Sequence, residues 1–106
     1  MPKYLIKASY TAEGAKGLLK EGGSARKAAI QKLLEGMGGK LESFYYAFGA
    51  DDVYVISDLP DTVSGVALTL AVNASGAVRL TTVPLITCEE LDSAAKRAVA
   101  YRAPGA

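Results

Sequence analysis

The chain contains no histidine and only one cysteine, Cys88. Imidazole is the side chain best matched to proton transfer near neutral pH, and it is the commonest metal ligand. Without it, the usual zinc and haem ligand sets and the Ser-His-Asp and Cys-His arrangements lose a constituent. A lone cysteine excludes an internal disulfide and points to a reducing compartment, the cytoplasm. Excess charge is also missing: Lys plus Arg total 12 and Asp plus Glu 11, for a net charge of +1. The basic footprint of a nucleic-acid binder is therefore not evident. No apolar run approaches the roughly 20 residues of a membrane helix. The opening MPKYLIKASY carries Lys3 and Lys7 and lacks the apolar centre of a signal peptide.

What is present suits one small globular domain over residues 1–106, with 50% apolar residues and one hydrophobic core. The organising stretch is Phe44–Asp61, FYYAFGADDVYVISDLPD. Strand formers in Phe44–Phe48 and Val53–Ser57 flank a Gly-Ala-Asp-Asp link, which reads as a β-hairpin. Upstream, Tyr4–Tyr10 alternates as a strand, with Tyr4, Ile6, Ala8 and Tyr10 on one face and Leu5, Lys7 and Ser9 on the other. Thr11–Glu21 reads as a short helix carrying Leu18 and Leu19. Ser24 is the expected N-cap of a second helix over Ala25–Met37, with Ile30, Leu33, Leu34 and Met37 inward and Arg26, Lys27 and Lys32 toward solvent. Gly36, Gly38 and Gly39 end it.

Downstream of the hairpin, Asp61 caps a helix over Thr62–Ala74, with Val63, Val66, Ala67 and Leu70 as its inward set. Val78–Ile86 is a fourth strand, kept at an edge by Pro84. Thr87 and Glu90 have capping-box spacing and open a helix over Cys88–Tyr101 that buries Leu91, Ala94, Ala95 and Ala98. Arg102–Ala106 is a flexible tail. The resulting order predicts an α+β, ferredoxin-like βαββαβ fold, with a four-stranded antiparallel sheet, strand order four-one-three-two and an extra C-terminal helix.

Two helices cover one sheet face. The other carries Leu5, Lys7, Ser9, Tyr54, Ile56, Asp58, Arg79, Thr81 and Val83, with one of Tyr45 or Tyr46, and is a large patch to leave uncovered. Pairing sheet against sheet across a two-fold axis covers it, so a homodimer is expected, with higher oligomers open.

The opening PKYLIKASYTAEG, the central GGKLESFYYAFGADDVYVISDLPD and the later GAVRLTTVPLIT resemble the GYD domain family. The resemblance runs from about Pro2 to Leu91. It implies a small bacterial protein that pairs as a dimeric α/β barrel. The family signature at the hairpin turn is Gly, any residue, Tyr, Asp. Gly49 and Asp52 match it, while Asp51 stands in the tyrosine position, so no role of that tyrosine carries over. Related dimeric barrels include cofactor-free monooxygenases, isomerases and haem-dependent enzymes, an analogy of fold alone.

The candidate ligand set is Lys7, Tyr54, Asp58 and Arg79. On neighbouring strands they could hold a small anionic or aromatic ligand, or Asp58 could pair with Lys7 or Arg79 and leave the cluster structural. Asp51 and Asp52 could hold a hard cation. With Gly49 at positive φ, they equally read as turn-forming residues. Glu21-Gly-Gly-Ser24 before a helix with Arg26 and Lys27 resembles an anion cradle at a helix N-terminus, but it lacks the spacing of a phosphate or dinucleotide loop and reads as loop plus N-cap. Cys88 lacks a base partner. No cofactor, metal, nucleic-acid or membrane partner is expected. The leading function is a dimeric small-ligand-binding domain, with its cleft between sheet and helices or between sheets. The alternatives are a cofactor-independent oxygenase or isomerase acting on a small aromatic or keto compound, and a purely structural assembly protein. The choice between enzyme and binding module stays open.

Overall fold

The computed structural model describes residues 1–106. In chain order it contains β1 (Lys3–Tyr10), α1 (Ala12–Glu21), α2 (Gly23–Gly36), β2 (Lys40–Tyr46), β3 (Val53–Asp58), α3 (Thr62–Ala74), β4 (Val78–Leu85) and α4 (Cys88–Ala95). The architecture is α+β. The strands form one antiparallel sheet in the order β2-β3-β1-β4, with Pro84 on an edge strand where its missing N–H costs no ladder bond.

Strand alternation sorts the two faces. Tyr4, Ile6, Ala8, Val53, Val55 and Val78 point to the helices and are buried with Leu34, Leu59 and Leu68. Leu34 and Leu59 are fully shielded. Each such leucine contributes about 1.5–3 kcal/mol through removal of apolar surface from water. Ser57 lies on the same face, fully buried, and its hydroxyl has no hydrogen-bond partner.

Hydrogen bonds tie the hairpin link to β1. The Asp52 N–H donates to the Ala8 carbonyl at 2.8 Å, and the Asp52 carboxylate accepts from the Tyr10 N–H at 2.8 Å. The positive φ in this link belongs to Phe48, at 53°, and not to Gly49 as expected. The Phe48 ring stacks on Tyr46 at 6.0 Å, a contact that can help to hold this backbone conformation.

Three helices depart from the sequence expectation. α2 begins at Gly23, with Gly22 at its N-cap in a positive-φ conformation (90°) and no side-chain cap, so Ser24 falls inside the helix. α3 is capped by Asp61, whose carboxylate accepts from the Ser64 N–H at 2.8 Å, as expected. Its buried residues, however, are Gly65 and Leu68, whereas Val63, Val66, Ala67 and Leu70 are all exposed. Polar contacts set this rotation: the Thr69 hydroxyl meets that of Thr82 at 2.7 Å, and the Asn73 amide bonds both ways with the Leu80 backbone.

The Thr87–Glu90 capping box of α4 forms as expected, but the helix stops at Ala95 and not at Tyr101. Leu91, Ala94, Ala95 and Ala98, expected to be buried, are exposed, as is every residue from Ile86 to Ala106. This chain offers α4 no surface to pack on.

Candidate ligand-binding cleft

Short side chains open a cleft on the helix side of the sheet. α1 presents Gly14 and Gly17, and α3 presents Ala67 and Ala71, where larger residues would close the gap. Gly14 lies so near the Ala77 carbonyl that a Cβ there would collide with it. The start of α1 is pinned to the same place by Thr11, whose N–H donates to the Ala77 carbonyl at 3.1 Å and whose hydroxyl donates to the Gly76 carbonyl at 3.0 Å. The positive-φ break at Gly22 then redirects the chain into α2.

The space between α1, α2 and α3 has a volume of about 690 Å³, within the few-hundred to ~1,000 Å³ range of small-molecule sites. Leu18, Leu33, Met37, Leu68 and Val72 supply apolar walls. A further space of about 40 Å³ lies among the core residues below, sharing Tyr10 and Arg26 with the cleft.

Polar groups gather at one end. Arg26 is half-buried and lines the cleft, and no carboxylate pairs with it, because the ion pairs of the chain are Lys3 with Glu42 and Lys3 with Asp58. Its approach to solvent was the sequence expectation; instead it turns inward, while Lys27 and Lys32 are exposed. The phenol of Tyr46 donates to the Gly23 carbonyl at 3.0 Å. Burial pushes that phenol up to about 12; Tyr10 beside it and the Glu21 carboxylate add to the shift and Arg26 opposes it. Glu13 and Glu21 line the same cleft, so beside its apolar walls stand one guanidinium, the Tyr10 phenol and two carboxylates, while Tyr46 lies next to the cleft and not in its lining. The guanidinium is the group there that suits a carboxylate, sulfonate or phosphate joined to a hydrophobic body.

The residues expected to form a site lie on the opposite face of the sheet. Lys7 is directly opposite Tyr54 on β3 and Thr81 on β4, and Arg79 is one diagonal step away, opposite Ser9. With Asp51, the residues Lys7, Ser9, Thr81 and Arg79 border an open hollow of about 600 Å³. Asp58 does not join them. It lies four β3 residues beyond Tyr54, roughly 13 Å along the strand, and pairs with Lys3 at 2.9 Å. The Lys3 ammonium is held above its ordinary pKa by its bonds to Asp58 and then Glu42. The expected pairing of Asp58 with Lys7 or Arg79 therefore does not form: register sets Lys3 opposite it.

The two turn aspartates are engaged locally. Asp52 clamps the backbone of β1, and the Asp51 carboxylate accepts from the Ser9 hydroxyl at 3.3 Å. Of the two hairpin tyrosines, Tyr45 takes the open face, opposite Tyr54, while Tyr46 turns toward the helices. Cys88 is a free, exposed thiol in the first turn of α4.

A family model described as GYD domain matches residues 4–95. The chain belongs to the GYD domain family. No curated protein and no solved structure matches it. The family match spans the sheet, α1 to α3 and α4, so it includes both the helix-side cleft and the open sheet face.

From sequence, Tyr10 is only an inward strand residue, Tyr46 reads as core or interface, and Arg26 enters only with Lys27 in the anion-cradle reading of Glu21-Gly-Gly-Ser24, which loop plus N-cap displaces. The signal for Arg26 was its spacing: 26, 30, 33 and 37 recur on one helical stripe with Ile30, Leu33 and Met37. A charge on an apolar stripe marks a functional or specially satisfied position.

Proposed function

We propose that this GYD domain protein is a small-ligand-binding domain of ferredoxin-like architecture, and that it works as a homodimer with the open sheet faces paired as a dimeric α/β barrel. Its ligand is a small molecule with an anionic head and an apolar or aromatic body, taken up in the cleft between sheet and helices. Arg26 grips the head, with Tyr10 beside it, and Leu18, Leu33 and Leu68 receive the body. The setting is a reducing bacterial cytoplasm, in which the exposed Cys88 stays a thiol.

The observation that carries this reading is the half-buried Arg26, which makes no ion pair although Glu13 and Glu21 line the same largely apolar, ligand-sized cleft. Partial desolvation of a guanidinium is unfavourable until an anion meets it. The dimer rests on the second sheet face, where Leu5, Ile56, Val83 and Leu85 sit among Lys7, Tyr45 and Tyr54 with no cover within the chain.

A thermal-shift series of aromatic carboxylates against their uncharged primary amides tests the cleft. The carboxylates should raise Tm, their amides should not, and Arg26→Leu should erase the difference. Equal shifts from acids and amides, or shifts that survive Arg26→Leu, would overturn the assignment.

A further inference from the structure

Beneath the cleft the core is not filled. The space of about 40 Å³ there lies between α2, α3 and the sheet. Of the 14 residues around it 13 are hydrophobic, and the remaining one is Arg26. Protein interiors hold few voids larger than a water molecule. One without polar partners stays dry, because water inside it would lose its hydrogen bonds. Its lining forgoes contacts that an apolar guest would restore.

The space adjoins the cleft. Tyr10, Arg26, Leu33, Leu68, Val72 and Val78 line both. These shared residues form the partition, and two of them reach solvent: Leu33 is 41% exposed and Arg26 is half-buried. Ala8, Ile30, Phe44 and Val55 border only the deeper space.

Arg26 sets the distance between head and depth. An arginine lays its stem along apolar surface and leaves its head for water or an anion. Because Arg26 borders both spaces, an anion on its guanidinium lies within one side-chain length of the core space. An alkyl chain attached to that anion gets there within a few carbons.

Size sets the chemical class. A water molecule takes about 30 Å³ of liquid, whereas a dry cavity that admits benzene measures roughly 150 Å³. A space of about 40 Å³ therefore accepts one or two methylene-sized groups and excludes an aromatic ring.

We propose that this core space is the tail pocket of the cleft, and that the ligand is an aliphatic carboxylate. Its carboxylate meets Arg26, its chain passes Leu33 and Leu68, and its first few carbons end among Ala8, Ile30, Phe44 and Val55. This inference rests on the anion-binding cleft proposed above and adds the class of its ligand.

Nuclear magnetic resonance titration tests it with acetate, propionate, butyrate, pentanoate, hexanoate, benzoate and butyramide. The proteins are the full-length parent, Ala8→Val, Val55→Ile and Arg26→Leu. The first two variants fill the core space from different strands, so either serves if the other does not fold. In the parent, affinity should rise on the order of fourfold per carbon over the first two carbons added to acetate. Beyond them the gain should drop below about twofold per carbon. In the filled variants the butyrate-to-benzoate affinity ratio should fall at least about fivefold, because the ring never used the space. A rise that continues evenly to hexanoate overturns the tail pocket, and so does a butyrate-to-benzoate ratio that neither filled variant lowers. Both of those results leave the cleft standing. The cleft is judged by other readouts: butyramide binding as tightly as butyrate, or butyrate binding Arg26→Leu as tightly as the parent, overturns it and the tail pocket with it.

Discussion

The Asp52 carboxylate accepts the Tyr10 N–H at 2.8 Å while the Asp52 N–H donates to the Ala8 carbonyl at the same distance. One turn residue thus closes the hairpin onto the central strand and fixes the end of β1 from which Tyr10 enters the cleft. Asp52→Ala leaves the Tyr10 N–H without that acceptor and should cost about 1–3 kcal/mol. Asp51→Ala removes only a 3.3 Å contact with the Ser9 hydroxyl and should stay within about 0.5 kcal/mol. Urea unfolding of both variants measures the difference, and equal losses would deny Asp52 its special place.

Arg26 should cost the protein stability where it is needed for binding. Arg26→Leu replaces an unpaired, half-buried guanidinium by an apolar side chain among Leu33, Leu68 and Val72. The variant should unfold at the same or a higher urea concentration than the parent while losing its response to aromatic carboxylates. A loss of about 2 kcal/mol or more in the ligand-free protein would show that Arg26 is a structural residue.

Two glycines of α1, three residues apart, should respond with opposite sign. Gly14→Ala drives a methyl into the Ala77 carbonyl and should destabilise by about 1–3 kcal/mol. At Gly17 nothing lies within 4 Å of an added Cβ, so alanine should stabilise by about 0.5–1 kcal/mol through helix propensity and unfolded-state entropy. Thermal unfolding of the two single variants checks the contrast.

Ser57 is fully buried with an unpartnered hydroxyl. Ser57→Ala removes that oxygen without opening a large cavity and should be neutral or stabilising by about 1 kcal/mol. A clear destabilisation in chemical denaturation would mean that the hydroxyl has a partner in solution, such as an ordered water.

The strands were legible from alternation because one residue in two must face the core, and the pairing of β2 with β3 followed from the hairpin. Caps at Asp61 and Thr87 were legible because their bonds are local. The rotation of α3 was not: Val63, Val66 and Leu70 have inward spacing, and contacts distant in sequence, Thr69 with Thr82 and Asn73 with Leu80, turn them outward. Asp58 shows the same limit. Its face was read correctly, but its partner depended on which β1 residue lies opposite, and that residue is Lys3 and not Lys7. The cleft was legible only as the inward position of Tyr10 and the stripe position of Arg26. Its volume arises from how α1, α2 and α3 stand apart, which no single helix encodes.

Tyr46, next to the cleft, carries a measurable pH dependence. Its phenol is pushed up to about 12, first by burial, then by Tyr10 and last by Glu21, with Arg26 opposing. An unfolded tyrosine titrates near pH 10. Between those two values the folded chain holds a proton that the unfolded chain has released, so stability falls as pH rises through that window. Below about pH 10 both states are protonated and the contribution is fully present. Tyr46→Phe should remove this part of the alkaline loss, while costing about 0.5–1.5 kcal/mol at neutral pH for the bond to the Gly23 carbonyl. Ultraviolet titration at tyrosinate wavelengths should show one phenol ionising late in the parent and missing in the variant. Because Arg26 favours the ionised phenol, Arg26→Leu should move that late titration still higher. A phenol that titrates near pH 10 in the parent, or one unmoved by Arg26→Leu, would show that Tyr46 is not a partly buried neighbour of Arg26.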